Sequence, residues 1–216
     1  MDLTSPKGRR RAWLDSLFDD HAALRTVWTN FHAVVPGVLY RSNHPTPGNL
    51  RRFVREKGIK TVINLRGEAG NGSDALSREA ARLLDLDFID LALRSAAAPP
   101  RDSLLALLRH YRTMRRPGLV HCKSGADRAG FAAAVFLLME GASPAQARAQ
   151  MRLRFGHLRH SRAGILSAFI DAWERYEGNK SFSHWVADEY DAAALQAAFK
   201  SNVFARFMHD RVLNRE

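Results

Sequence analysis

The stretch Gly118-Leu119-Val120-His121-Cys122-Lys123-Ser124-Gly125-Ala126-Asp127-Arg128-Ala129-Gly130 decides how this chain is read. Its first residues form a short apolar strand that runs into His121, and from Ala129 an apolar run with helical character follows. A glycine-containing loop between a strand end and a helix N-terminus turns successive backbone N–H groups inward. Such a loop is a concave anion nest, reinforced by the helix dipole and suited to a phosphate. Cys122, at the start of the loop, would lie beneath that phosphate, and the same N–H groups would favour its nucleophilic thiolate. Arg128, separated from the cysteine by five residues, would close the cradle. Its planar fork binds two oxygens at once, which a lysine point charge cannot match.

Working outward, three further apolar runs are expected as strands: Gly37 to Tyr40, Lys60 to Leu65, and Asp87 to Leu93. Helices are expected between them. Pro47 to Lys57 has Thr46 as N-cap, Pro47 at the first helical position and Gly58 as a left-handed stop. Ser73 to Leu86 and Arg101 to Arg115 complete the alternation, and Gly70 to Ser73 is expected as a flexible connection. The order predicts an α/β fold: three layers, with a mostly parallel central sheet of four or five strands flanked by helices and a site beyond the strand carboxyl ends. After Ala129 the chain is expected to be helical, as Ala129 to Glu140, Ser143-capped Pro144 to Phe155, and Ala163 to Tyr176.

The 216 residues suit one domain with a real core. We divide them into a basic, amphipathic arm (1–30, with Trp13, Leu14, Leu17 and Phe18), a catalytic body (31–177), and a helical C-terminal extension (178–216). The extension's Phe182, Trp185, Tyr190, Phe199, Phe204 and Phe207 should return it onto the body. A single cysteine excludes an intrachain disulfide and a four-cysteine zinc site. His157 and His160 lack a convincing acidic third ligand, so neither a metal nor another cofactor is expected. The N-terminus lacks a secretory signal and no run is long enough to span a bilayer, which points to a soluble, cytoplasmic protein. A formal charge of +11 suits anionic partners without choosing among them. The run Lys7 to Arg11 is a solvated tail or a contact with an anionic membrane surface.

His121 to Gly130 resembles the signature loop of the cysteine-dependent protein tyrosine phosphatase superfamily, in particular its bacterial and atypical dual-specificity branch. The resemblance extends over about residues 35 to 160, because Gly37 to Ser42, Thr61 to Glu68 and the loop keep the order seen there. It implies hydrolysis of a phosphomonoester through a phosphocysteine intermediate. Cys122 would be the nucleophile, and Arg128 with the backbone of Lys123, Ser124, Gly125, Ala126 and Asp127 would bind the phosphoryl oxygens. His121 would orient the loop, or else is a plain buried histidine.

The general acid is less plain. Relatives carry an aspartate on a separate loop, but here Arg94, Ser95 and alanines hold those positions, with Asp90 upstream and Asp102 downstream. Asp127 is the better candidate, as in myotubularin-type phosphatases; its alternative role is to brace the loop. Ala129 replaces the hydroxyl that aids thiolate departure in many relatives, and Ser124 either substitutes for it in part or stabilises the loop. Arg41 and Arg66 are expected in structural roles at strand ends. The expected partner is a phosphorylated protein or lipid, with nucleic acid disfavoured. An RNA 5′-triphosphatase and a catalytically weak phospho-ligand binding module stay as alternatives.

Overall fold

A computed structural model of the chain describes residues 3–18 and 28–201. Phe204 and Phe207 lie outside them. Five short strands form one sheet: β1 (His32–Val35), β2 (Leu39–Ser42), β3 (Thr61–Asn64), β4 (Asp87–Asp90) and β5 (Gly118–His121), in spatial order β1-β2-β5-β3-β4. Only the β1–β2 pair is antiparallel. β5 therefore lies in the middle, with Val120 level with Arg41 of β2 and Ile63 of β3. The loop that leaves β5 emerges between the ends of both neighbours.

Successive strand residues face opposite sides of the sheet, and the core divides accordingly. Tyr40, Val62 and Leu119 pack against α2 (Pro47–Lys57) and α3 (Gly72–Leu83). Leu39, Ile63 and Val120 face the other layer, which holds α4 (Arg101–Thr113), α5 (Asp127–Met139), α7 (Gly164–Glu174) and α8 (Phe182–Asp188). Phe169 of α7 collects Phe131, Phe182, Trp185 and Tyr190 edge-on around it, which returns the C-terminal segment onto the body.

Local signals explain several element ends. Thr46 accepts from Asn49 N–H and Gly58 takes φ 66°, as expected for α2. Helix α3 stops at Leu83 because Asp85 adopts φ 52°, earlier than the expected Leu86. Gly70 to Ser73 is not a flexible connection: Asn71 caps α3 and Gly72 is its first residue. The expected helix to Phe155 is also shorter. Ser143 closes a capping box on α6 (Pro144–Arg148), but a turn follows, and the chain resumes as a 3-10 turn, Leu153–Phe155.

The N-terminal helix α1 (Pro6–Phe18) lies on α3. Ala12 and Ser16 are buried while Leu14 stays exposed, and Ser16 Oγ lies 2.8 Å from Ser73 Oγ. Arg9, from the basic run, is held by Glu79 at 2.7 Å through both carboxylate oxygens. A Cβ on Gly72 would fall 2.1 Å from the Ala12 carbonyl oxygen. Gly72→Ala, harmless to α3 itself, is thus expected to prise α1 away at a cost of about 1–3 kcal/mol. Faster amide exchange across residues 6–17, with α3 still protected, is the result that checks it.

Candidate active site

The loop from Cys122 to Ala126 leaves β5 at the middle of the sheet, and α5 begins at Asp127, two residues earlier than the sequence suggests. Gly125 makes the bend with φ +75°. A Cβ there would come within 2.7 Å of backbone atoms of Ser42 and Asn43, so the loop backs directly onto the end of β2.

Every carbonyl from Lys123 to Ala126 is taken by a donor outside the loop. Lys123 O accepts from His44 N–H at 3.3 Å, and Ser124 O from Asn30 Nδ2 at 3.0 Å. Gly125 O and Ala126 O both accept from Arg41 Nη2, at 2.6 and 3.2 Å. Peptide planes whose C=O groups are held outward direct their N–H groups the other way, into the concavity above Cys122. That is the arrangement an anion nest needs. Cys122 itself is buried, 2 % exposed.

Arg41 is the clamp behind the loop. It is wholly buried, also donates to the Gln150 backbone carbonyl, and lies 4.3 Å above the Phe155 ring. Burial pushes its guanidinium down to about 10, which leaves it charged at neutral pH. The Cys122 sulfur and the Asp127 carboxylate act against that fall. An added Cβ on Gly130 would meet the Gln150 carbonyl at 2.8 Å and the Arg41 fork at 3.0 Å, so α5 makes room for the clamp.

Arg128 is half-buried in the first turn of α5, and its Nη1 reaches the Leu65 and Leu93 carbonyls, each at 3.4 Å. Those carbonyls lie just past β3 and β4, so the fork is held over the sheet's carboxyl edge. Asp127, one residue earlier, is joined to His157: Oδ1 and Nδ1 are 2.7 Å apart. His157 is buried, and its Nε2 lies 2.9 Å from Ser167 Oγ of α7. Both ring nitrogens are engaged, which removes His157 from the metal pair the sequence raised with His160. The Asp127 side chain keeps 29 % of its surface open.

The remaining candidates fall around this centre. His121 is buried on β5 with its ring edge-on to His44, 4.7 Å between centroids. Arg66 Nη1 donates to His44 Nδ1 at 3.0 Å, so His44 Nε2 carries the proton that meets Ser73 O. Lys123 and Ser124 are exposed at the rim, and Ser124 Oγ lies 3.4 Å from Ala126 N–H, the loop-stabilising arrangement. Asp90 is committed to Asn64 and Arg78, at 2.9 and 2.7 Å, and Asp102 sits exposed in the first turn of α4. Arg94 is exposed directly after Leu93, where relatives are expected to carry an acid.

Sequence reasoning missed Asn30, the clamp function of Arg41 and the Asp127–His157–Ser167 chain. A single Asn ahead of an edge strand carries no periodic signal. The His157 contact joins residues thirty apart.

Comparison with known proteins bears on the family and the fold. The family model described as "PTP-SAK: Swiss Army Knife protein, DSP-PTPase phosphatase domain" matches residues 28–167. The fold is similar to that of TpbA from P. aeruginosa, at 22% identity and TM-score 0.55, covering 79% of this chain and 90% of that one. The same protein has been solved as a cysteine-to-serine variant in complex with pTyr. The core catalytic domain of the PP-IP phosphatase SIW14 from S. cerevisiae is similar at 18% identity and TM-score 0.52, over 82% of this chain and 94% of that one. PTPMT1 is similar at 17% identity and TM-score 0.52, over 66% and 94%. No curated protein matches the sequence.

Proposed function

The chain belongs to the PTP-SAK family of DSP-PTPase phosphatase domains and is a cysteine-dependent phosphoric monoester hydrolase; from that premise we propose that it works through a phosphocysteine on Cys122. The observation that supports this reading is the outward capture of four successive loop carbonyls beside a guanidinium held at the sheet's carboxyl edge. In the first step the Cys122 thiolate attacks phosphorus and the bond to the substrate oxygen breaks. The loop N–H groups and Arg128 hold the equatorial oxygens as charge spreads over them. In the second step water attacks the same phosphorus and the S–P bond breaks, returning the thiolate and releasing phosphate.

Asp127 supplies the proton to the leaving oxygen and takes one back from the attacking water. His157 is a positioning residue: it fixes Oδ1 from behind, and Ser167 fixes the ring. Ala129 offers no hydroxyl to assist thiolate departure, so the second step should limit turnover and release of an aryl leaving group should show a burst.

Asp127→Asn is expected to slow the first, phosphocysteine-forming step about 10²-fold or more for alkyl phosphates, while the burst rate of an activated aryl phosphate, whose leaving group needs no proton, changes little. His157→Leu should show the same split in weaker form, about tenfold, as the loss of one charged hydrogen bond implies. Equal effects on both substrates would leave Asp127 as a brace only.

For substrate we propose a phosphotyrosine-like or lipid-linked phosphomonoester. The pTyr complex of TpbA supports the first of these, and the exposed Lys123 and Arg94 favour further negative charge near the scissile group. A phosphate-release screen over phosphopeptides, inositol lipids and triphosphate-ended RNA, with Cys122→Ser as control, separates these from the RNA reaction.

A further inference from the structure

Beside the phosphate loop, two consecutive tight turns push leucines into solvent. Leu153 is 73 % exposed and Leu158 57 %. The first turn closes through Gly156 N–H to Leu153 O at 2.7 Å, the second through Ser161 N–H to Leu158 O at 3.0 Å. Between them Phe155 and His157 are buried and pin the turns to the body. The turns border the site itself. Asn30 Nδ2 bridges Ser124 O and Phe155 O, both at 3.0 Å, and a Cβ on Gly156 would lie 3.5 Å from Ala126 Cβ. The same Cβ would be 3.4 Å from the ring of Trp28, which is 52 % exposed.

Charge marks the same rim. No aspartate or glutamate occurs between Glu140 and Asp171. Arg148 and Arg159 are offset by Asp171 and Glu174, whereas Arg152, Arg154 and Arg162 are exposed and form no ion pair among the described residues. Exposed apolar tips thus alternate with uncompensated guanidinium groups around one edge of the phosphate loop.

We propose that this rim docks the protein on an anionic lipid bilayer, with Leu153, Leu158 and Trp28 entering the headgroup boundary and Arg152, Arg154 and Arg162 meeting lipid phosphates. A protein interface concentrates its apolar anchors in a core depleted of charge, and nucleic acid engages arginines but gives nothing to solvated leucines. The boundary between headgroups and acyl chains takes both at once: apolar tips sink, guanidinium groups stay at phosphate level, and each basic group adds its own increment. Docked this way, the loop mouth faces the headgroups. The inference builds on the phosphatase reading only for what that mouth would then act upon.

The test is co-sedimentation of the full chain with vesicles of phosphatidylcholine alone or of equal parts phosphatidylcholine and phosphatidylglycerol. Binding is expected to the mixed vesicles, and Cys122→Ser should bind equally well, so that docking and chemistry fail separately. The double substitution Leu153→Ser, Leu158→Ser should weaken vesicle binding about tenfold or more while leaving hydrolysis of a soluble aryl phosphate unchanged. Arg152→Gln, Arg154→Gln, Arg162→Gln together should weaken it about a hundredfold. The proposal is overturned if the mixed vesicles are not bound or if the leucine variant binds them undiminished. It is equally overturned if only Arg10→Gln, Arg11→Gln in the N-terminal run abolishes binding, or if a phosphopeptide or RNA oligomer binds through these leucines and the vesicles do not.

Discussion

Cys122→Ser is expected to abolish turnover of an aryl phosphate, by on the order of 10⁴-fold or more, the scale of losing a covalent nucleophile, while phosphate and vanadate still bind. The separation follows from where each group sits. On the proposed chemistry, anion affinity comes from the loop backbone, oriented by donors on Asn30, Arg41 and His44, and from the Arg128 fork, none of which the substitution touches. On the same proposal the buried sulfur contributes the attacking pair of electrons, and a hydroxyl in its place has no base beside it to ionise at neutral pH. Single-turnover kinetics with isothermal titration of phosphate on the same preparation reads both quantities. Activity surviving in Cys122→Ser, or lost together with anion binding in a folded variant, would contradict the assignment.

Arg41→Met is the second large effect, and it reaches the chemistry from behind the loop. Methionine restores much of the apolar stem but withdraws every donor from Gly125 O and from the Gln150 carbonyl; Ala126 O keeps the Gly130 N–H. An unsatisfied buried carbonyl costs about 1–3 kcal/mol. Two of them would lower the thermal midpoint by roughly 5–15 °C for a chain of this size, less whatever is regained by no longer burying a guanidinium. The activity loss should exceed the stability loss, about 10²-fold in kcat/KM, because a freed Gly125 carbonyl can rotate into the concavity and place like against like with a phosphate oxygen. Arg41→Lys, which keeps the charge but cannot span three acceptors, should recover only part of the stability and little of the rate. A Met variant with normal phosphate affinity would show that the loop keeps its shape without the clamp.

What the sequence disclosed, and what it hid, divides along locality. Helix α2 is legible to the residue because Thr46, Pro47 and Gly58 act on their own neighbours, and the strand–loop–helix around Cys122 is legible because the whole motif is contiguous. The edge strand β1 escaped: its apolar run, Ala33 to Val35, is only three residues long, its first two residues are exposed, and its pairing with β2 is interrupted by an irregularity. Arg41 was recognised as structural but not as the loop's anchor, since that depends on β2 lying parallel to β5 with Arg41 level with Val120. Gly72 reads as part of a flexible turn because its tightness is imposed by α1, more than fifty residues away, whereas the Asn71 cap on Asp74 N–H is a local signal that the reading passed over. The spacing of His157 and His160 invites and fails a metal reading, and does not disclose that the partner of His157 is the carboxyl beside Arg128.

That carboxyl sits on the rigid first turn of a helix, wedged by an imidazole that a serine hydroxyl props in turn. On the proposed chemistry, nothing has to swing across the entrance to deliver a proton, because donor and cup travel as one piece. The doorway stays ajar through the whole cycle, and a leaving group too bulky or too firmly rooted to be swallowed can still be served where it stands.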